Sequence, residues 1–94
     1  MLWEWDDDKN LVNKRKHGLS FETAQLVFDD PLAASDRDPN SDEERWYTIG
    51  MVHPTVIFVV HTWPEAQGAG QGESGRIISA RKATPHERRA YEEG

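Results

Sequence analysis

Apolar and polar positions alternate along this chain in two rhythms, one helical and one of period two. Met1–Trp5 is short and aromatic and reads as an opening strand. Asp6 then caps a helix predicted over Asp7–His17. Asp7 and Asp8 sit at its positive end, Lys14–Lys16 at its negative end, and Gly18 supplies the stop. Ser20 is a second N-cap with Glu22 in the first turn. Phe21, Ala24, Val27 and Phe28 follow helical spacing until Pro31 ends the segment. The pattern predicts two short helices meeting at an angle through Gly18-Leu19.

Period two takes over in the second half. The acidic segment 36–44 carries Pro39 and reads as a loop or a short edge excursion. Arg45–Val52 and Thr55–Thr62 flank His53-Pro54 as a β-hairpin. Val56–Val60 is apolar at every position, the pattern of a central strand covered on both faces. A two-residue turn would set His61 opposite Trp46 and Arg45 opposite Thr62, sending Arg45 and His61 to opposite faces. Pro64–Gly75 holds four glycines and no apolar pattern, so it reads as a flexible loop. Arg76–Arg81 is the last strand, with Ile77, Ser79 and Arg81 expected on one face. Thr84-Pro85-His86-Glu87 joins a capping box to proline at the first helical position and starts a helix running to about Glu92. The order β-α-α-β-β-β-α implies an α+β sheet with segregated helices.

Composition narrows what such a sheet can do. Ninety-four residues, 36% of them hydrophobic, make one domain over 1–94 with one core and little room for an enclosed cofactor. Cysteine is absent, which removes disulfides, thiolate metal sites and cysteine nucleophiles. The start, Met1-Leu2-Trp3-Glu4-Trp5-Asp6, has no signal-peptide character, and the longest apolar run falls far short of a membrane span. A soluble cytoplasmic protein is the expectation. Seventeen acids against eleven Lys and Arg give a net charge of −6, which argues against non-specific coating of nucleic acid. The bases nevertheless gather at Lys14-Arg15-Lys16-His17 and at Arg76, Arg81, Lys82, Arg88 and Arg89. If folding unites those segments, the molecule carries one anion-attracting face.

His17, His53, His61 and His86 share no metal-ligand spacing, and Ser79 lacks a nucleophile elbow, so neither a metal nor a serine triad is expected. Each remaining candidate has a structural reading beside the chemical one. Arg81 could form a salt bridge to an acid of the last helix. His61 could be a polar group at a strand end, and Lys16-His17 a basic helix end that complements the dipole. Together they supply what RNA cleavage without metal demands: a group to take the 2′-hydroxyl proton, a donor for the leaving 5′-oxygen, and cations on the phosphorane.

Three ordered motifs sharpen this. The first is Trp5-Asp6-x-x-Lys9 with Asn13-x-x-Lys16-His17-Gly18-x-Ser20-Phe21-Glu22-x-Ala24. The second is Glu44-Arg45-x-x-x-Ile49-Gly50. The third is Arg76-Ile77-Ile78-Ser79-Ala80-Arg81-Lys82-Ala83-x-x-x-Glu87-Arg88-x-x-Tyr91. In this combination the chain resembles the BrnT toxin family over nearly its whole length, with Pro64–Gly75 outside the likeness. The resemblance implies a RelE-like fold, a twisted antiparallel sheet with helices packed on one face and a concave face for RNA. It implies a metal-independent endoribonuclease toxin that inhibits translation and needs no cofactor. Its partner would be a BrnA-type ribbon-helix-helix antitoxin, through which the pair binds operator DNA and represses its own operon. Carried onto this sequence, it points to Lys16, His17, Arg45 and Arg81 as catalytic, with His61 as a further acid or base. Lys14, Arg15, Arg76, Ser79, Lys82 and Tyr91 are the candidate RNA contacts. Asn13 and Ser20 read as caps or turn-formers, Glu87 as the capping partner of Thr84, and Tyr91 as a packing residue or a base-stacking one. The rival reading is a degenerate toxin, a non-catalytic module that binds its antitoxin and co-represses.

Overall fold

The computed structural model describes residues 2–39, 44–63 and 74–94. The glycine-rich stretch expected over 64–75 lies outside them from 64 to 73, as do residues 40–43 of the acidic segment. Strand β1 (Leu2–Glu4) leads into helix α1 (Asp7–His17), helix α2 (Phe21–Ala24) and a 3₁₀ turn (Gln25–Asp29). Strands β2 (Ala34–Arg37), β3 (Trp46–Val52), β4 (Thr55–His61) and β5 (Ser74–Lys82) follow, and helix α3 (Pro85–Glu93) closes the chain. No helix among the described residues is long and apolar enough to cross a membrane.

The local signals act where they were expected. Asp6 accepts from the amides of Asp8 and Lys9, and Gly18 takes the left-handed conformation (φ 69°) that ends α1. Ser20 caps α2 through the Thr23 amide. Thr84 and Glu87 complete a reciprocal capping box that spans Pro85 at the first helical position.

The five strands form one sheet in the order β1-β5-β4-β3-β2. Two expectations are corrected here. The sheet is mixed, because β1 runs parallel to β5 while the other pairs are antiparallel. It also has a fifth strand: β2, exposed at every residue, pairs with β3 and turns the observed order into β-α-α-β-β-β-β-α. A four-residue polar segment has no apolar alternation to announce it; its pairing to β3 is what makes it a strand.

The β3–β4 register sets Trp46 opposite His61, as the two-residue turn requires. Thr48, Gly50, Ile57, Val59 and Ala80 therefore share one face, and Phe21, Ala24 and Val27 close the core against it. These three are fully buried, and each large apolar side chain so buried contributes about 1.5–3 kcal/mol. Gly50 makes the approach possible, since a Cβ there would lie 2.7 Å from Val27 Cγ2. Helix α1 docks differently. Its buried residue is Asn13, while Leu11 and Val12 are more than half exposed. The Asn13 amide sits on the outer edge of β5, donating to the Ala80 carbonyl (2.8 Å) and accepting from the Ala80 amide (3.2 Å). It also donates to the Leu19 carbonyl at 2.9 Å, so one side chain joins α1, its following turn and the sheet edge.

The opposite face of the sheet carries Tyr47, Ile49, Met51, Val56, Phe58, Val60, Ser79 and Arg81. Helix α3 packs at one end of this face, through Glu87 to Arg81 and beside a cavity shared with Met51 and Val56. The helices thus do not all lie on one face: α1, α2 and the 3₁₀ turn flank the core side, and α3 the other. Val56 is buried, but Tyr47, Phe58, Val60, Ser79 and Arg81 all keep partial exposure. The central strand is therefore covered on both faces only at its start.

Candidate functional site

Strand β5 decides which candidates meet. Its register against β4 jumps, Val60 facing Ser79 while His61 faces Ile77, so Ile78 is an extra residue in a bulge. Simple alternation puts Ile77, Ser79 and Arg81 together. The bulge instead buries Ile77 with Ala80 on the core face and leaves Ser79 and Arg81 on the open one.

Helix α1 lies beside this open edge because Asn13 fastens it to Ala80. Its last turn brings Lys16 and His17 to a cleft of about 310 Å³, which Lys9, Asp8, Val12, Asn13, Ile78 and Ser79 complete. Lys9 and Lys16 are seven positions apart on α1, two helical turns, so both side chains reach the same cleft. Two cations, an imidazole and a hydroxyl outnumber the one carboxylate, Asp8, around this small open cleft, which favours an anion. Lys9 belongs to the first motif, but its nearness to Ser79 depends on where α1 docks.

Two residues beyond Ser79, Arg81 makes a bidentate pair with Glu87: Nη1 donates to Oε1 at 2.8 Å and Nη2 to Oε2 at 3.0 Å. Nη1 also donates to the Lys82 carbonyl at 3.1 Å. The salt bridge that the sequence allows is therefore present, and together with the Lys82 bond it engages three of the five guanidinium hydrogens. Glu87 is held as a carboxylate, its pKa lowered first by the Arg81 hydrogen bond, and Arg81 is raised by the same bond. Beneath the guanidinium lies Phe58, whose ring centre is 4.2 Å from Cζ. On the β3 side of Phe58, Tyr47 stacks with centroids 5.1 Å apart and planes 15° apart. Half-buried Arg45 precedes β3 and shares Tyr47's side by alternation.

His61 is not part of this surface. It has no solvent exposure and lies on the core face, edge-on to Trp3 and Phe28, with centroids 5.1 and 5.0 Å away. Nδ1 lies 2.8 Å from the Thr62 carbonyl, which only accepts, so Nδ1 carries the hydrogen. Nε2 must then accept from Thr48 Oγ1 at 2.7 Å, and Thr48 in turn accepts from Ser35 at 2.6 Å. Burial lowers the pKa to about 4, so the ring is neutral at physiological pH. The expectation of His61 as an acid or base does not fit a sealed, neutral ring with both nitrogens engaged.

The other candidates disperse. Tyr91 donates to Asp30 Oδ2 at 2.5 Å, tying α3 to the end of the 3₁₀ turn; this is packing rather than an offered ring. Asp30 also accepts from the Met51 amide, and these bonds, the Tyr91 one first, lower its pKa. Arg76 is exposed on β5 opposite Glu4 of β1, well along the strand from Arg81. Lys14 and Arg15 are exposed on α1 outside the cleft, and Lys82 lines cavities at the β3–β4 turn. Lys16, His17, Ser79 and Arg81 remain together, joined by Lys9, Phe58 and Tyr47, whereas Arg45, just ahead of Trp46, lies level with Arg76 at the far end of the sheet. Tyr47 and Phe58 do not stand out in the sequence because the wholly apolar run Val56–Val60 conceals its own alternation. The Trp46–His61 register alone would have placed both rings opposite the buried series.

The family model of the ribonuclease toxin BrnT, of type II toxin–antitoxin systems, matches residues 5–87. The chain belongs to the BrnT family. The match runs from Trp5, ahead of α1, to Glu87, the partner of Arg81. It therefore contains α1 with its cleft and strands β2 to β5, and ends in the first turn of α3, so Tyr91 falls beyond it. No individually curated protein matches the chain. BrnT membership makes this a ribonuclease toxin whose system includes an antitoxin.

Proposed function

We propose that this BrnT chain is a metal-independent endoribonuclease that cleaves RNA and thereby inhibits translation. A BrnA-type antitoxin neutralises it, and the pair represses its own operon through operator DNA. The observation that carries this reading is the meeting of Lys16, His17 and Ser79 in one cleft beside Arg81, within a chain matched to BrnT over residues 5–87.

The chemistry is an internal transesterification. The 2′-oxygen attacks the adjacent phosphorus as its proton passes to a base, and the bond from phosphorus to the 5′-oxygen breaks as that oxygen takes a proton. The products are a 2′,3′-cyclic phosphate and a 5′-hydroxyl. His17 and Lys16 are the proton-transfer groups. Arg81 stabilises the charge that builds on the phosphorane, and Ser79 donates to a non-bridging oxygen. Arg81 keeps Nε–H and one Nη2 hydrogen for the phosphate even while Glu87 holds it.

The test is inducible expression of the chain alone and with its adjacent open reading frame, scoring growth and mapping RNA ends. Growth arrest with new 5′-hydroxyl ends, rescued by the neighbour, is the expected result. Arg81→Ala should abolish arrest, with cleavage falling about 10²- to 10³-fold. It should remain folded, because a partly exposed pair of this kind is worth about 1 kcal/mol or less. A fully toxic Arg81→Ala variant would remove Arg81 from the site.

The engagement of Arg81 by Glu87 and the burial of His61 favour a second reading, a non-catalytic module that binds its antitoxin and co-represses. It expects normal growth, unchanged RNA ends and intact antitoxin binding.

A further inference from the structure

Arg81, Phe58 and, diagonally from Phe58, Tyr47 form a line across three neighbouring strands on the open face, and the core does not explain it. Phe21, Val27, Ile57, Val59 and Ile77 close the core on the other side of the sheet. Helix α3 covers the Val56 end and leaves the rings partly exposed. Phe58 lies on the strand between Arg81 and Tyr47, so the cation occupies one side of it and the Tyr47 ring the other. Tyr47 is thus the outer ring of this diagonal. Its hydroxyl meets no hydrogen-bond partner among the described residues. Beyond it, among the described residues, lies the exposed strand β2, where Asp36, its cross-strand neighbour, turns its carboxylate to the Arg37 amide. A ring already held at a fixed tilt by stacking loses little freedom when a second flat group joins the stack.

We propose that Tyr47 is a base-stacking residue: one unpaired nucleobase of the RNA stacks on its outer face while the adjoining backbone runs toward Arg81. This rests on the ribonuclease reading and names its substrate class as single-stranded RNA. Bases of a duplex are stacked on one another and present no face to a side chain, whereas an unpaired base does. The platform carries no base-edge donor array, so it tolerates any base and sets position rather than sequence.

The test measures binding apart from cleavage. The probe is a fluorescent single-stranded oligonucleotide, 2′-O-methylated throughout so that it has no 2′-hydroxyl to react, compared with the same strand in a duplex. Binding of the full chain is read by anisotropy. Tyr47→Thr suits the strand and should weaken single-strand binding about 5- to 150-fold. Tyr47→Phe should stay within about threefold, because the ring and not the hydroxyl stacks. Thermal unfolding of both variants reports on folding, and Tyr47→Phe, which retains the ring, tests the idea even if Tyr47→Thr is destabilised. Equal wild-type affinity for single strand and duplex overturns the proposal, as does absence of binding. So does a folded Tyr47→Thr chain with unchanged RNA affinity; if it has lost antitoxin binding instead, the face belongs to a protein partner. Weakened probe binding without RNA cleavage by the wild type supports the platform and sinks the nuclease reading. Cleavage with an unchanged KM in Tyr47→Thr does the reverse.

Discussion

Replacing Asn13 by alanine tests the architecture at the point where it holds the site together. The side chain is 7% exposed and makes three hydrogen bonds at 2.8–3.2 Å, two to the backbone of Ala80 and one to the Leu19 carbonyl. Alanine removes all three. The Leu19 carbonyl, on a half-exposed turn, regains water. The amide and carbonyl of Ala80, a residue 1% exposed, lie on a strand edge where β1, paired only at residues 74–76, does not reach to replace the lost partner. A buried polar group without a partner costs about 1–3 kcal/mol, so the two together cost about 2–4 kcal/mol after partial relaxation. A domain of this size has a stability of about 5–14 kcal/mol, and its Tm should fall by roughly 10–25 °C. Urea unfolding followed by tryptophan fluorescence measures the loss, and hydrogen exchange at the Ala80 amide localises it. Asn13→Asp sharpens the reasoning: it keeps the shape, loses both donors, and turns a carboxylate toward two carbonyls. It should be at least as damaging at neutral pH. An Asn13→Ala chain within about 0.5 kcal/mol of the parent, or an Ala80 amide that exchanges as slowly as before, would refute this account of α1 docking.

The buried histidine and the close-packed glycine give two further tests. His61 is held at a pKa of about 4, below the ordinary value near 6.5, so between these values the unfolded chain binds a proton that the folded one excludes. Its neutral form therefore contributes fully above pH 6.5. The contribution is lost as pH falls from 6.5 toward 4, amounting to about 3 kcal/mol. Urea midpoints across that range should drop in the wild type and flatten in His61→Gln, once its overall lower stability is subtracted. Gly50→Ala places a methyl 2.7 Å from Val27 Cγ2 and 3.0 Å from Ala33 Cβ, and should cost about 1–3 kcal/mol. Adding Val27→Ala removes the closer clash, so the double variant should be more stable than the two single losses summed; simple additivity would contradict the contact.

What the chain determined alone is its local grammar and its kinship. Asp6, Gly18, Ser20 and the Thr84–Glu87 capping box bound their helices through bonds to residues within four positions, so their effect is readable from spacing. The two-residue turn fixed Trp46 opposite His61 for the same reason. The three ordered motifs carried the BrnT likeness that the match over residues 5–87 establishes. Tertiary structure decided what the side chains do. The bulge at Ile78 separates Ile77 from Arg81, and the parallel pairing of β1 with β5 joins segments some seventy residues apart. Asn13, read as a cap, is a bond between a helix and a distant strand edge. His61, read as a proton carrier, is a sealed neutral ring because Trp3, Phe28 and Thr48 converge on it from three other segments. Such roles depend on which surfaces meet and exclude water. Burial and partnership at a distance are properties of the assembled sheet, and they leave no mark in the residues nearby along the chain.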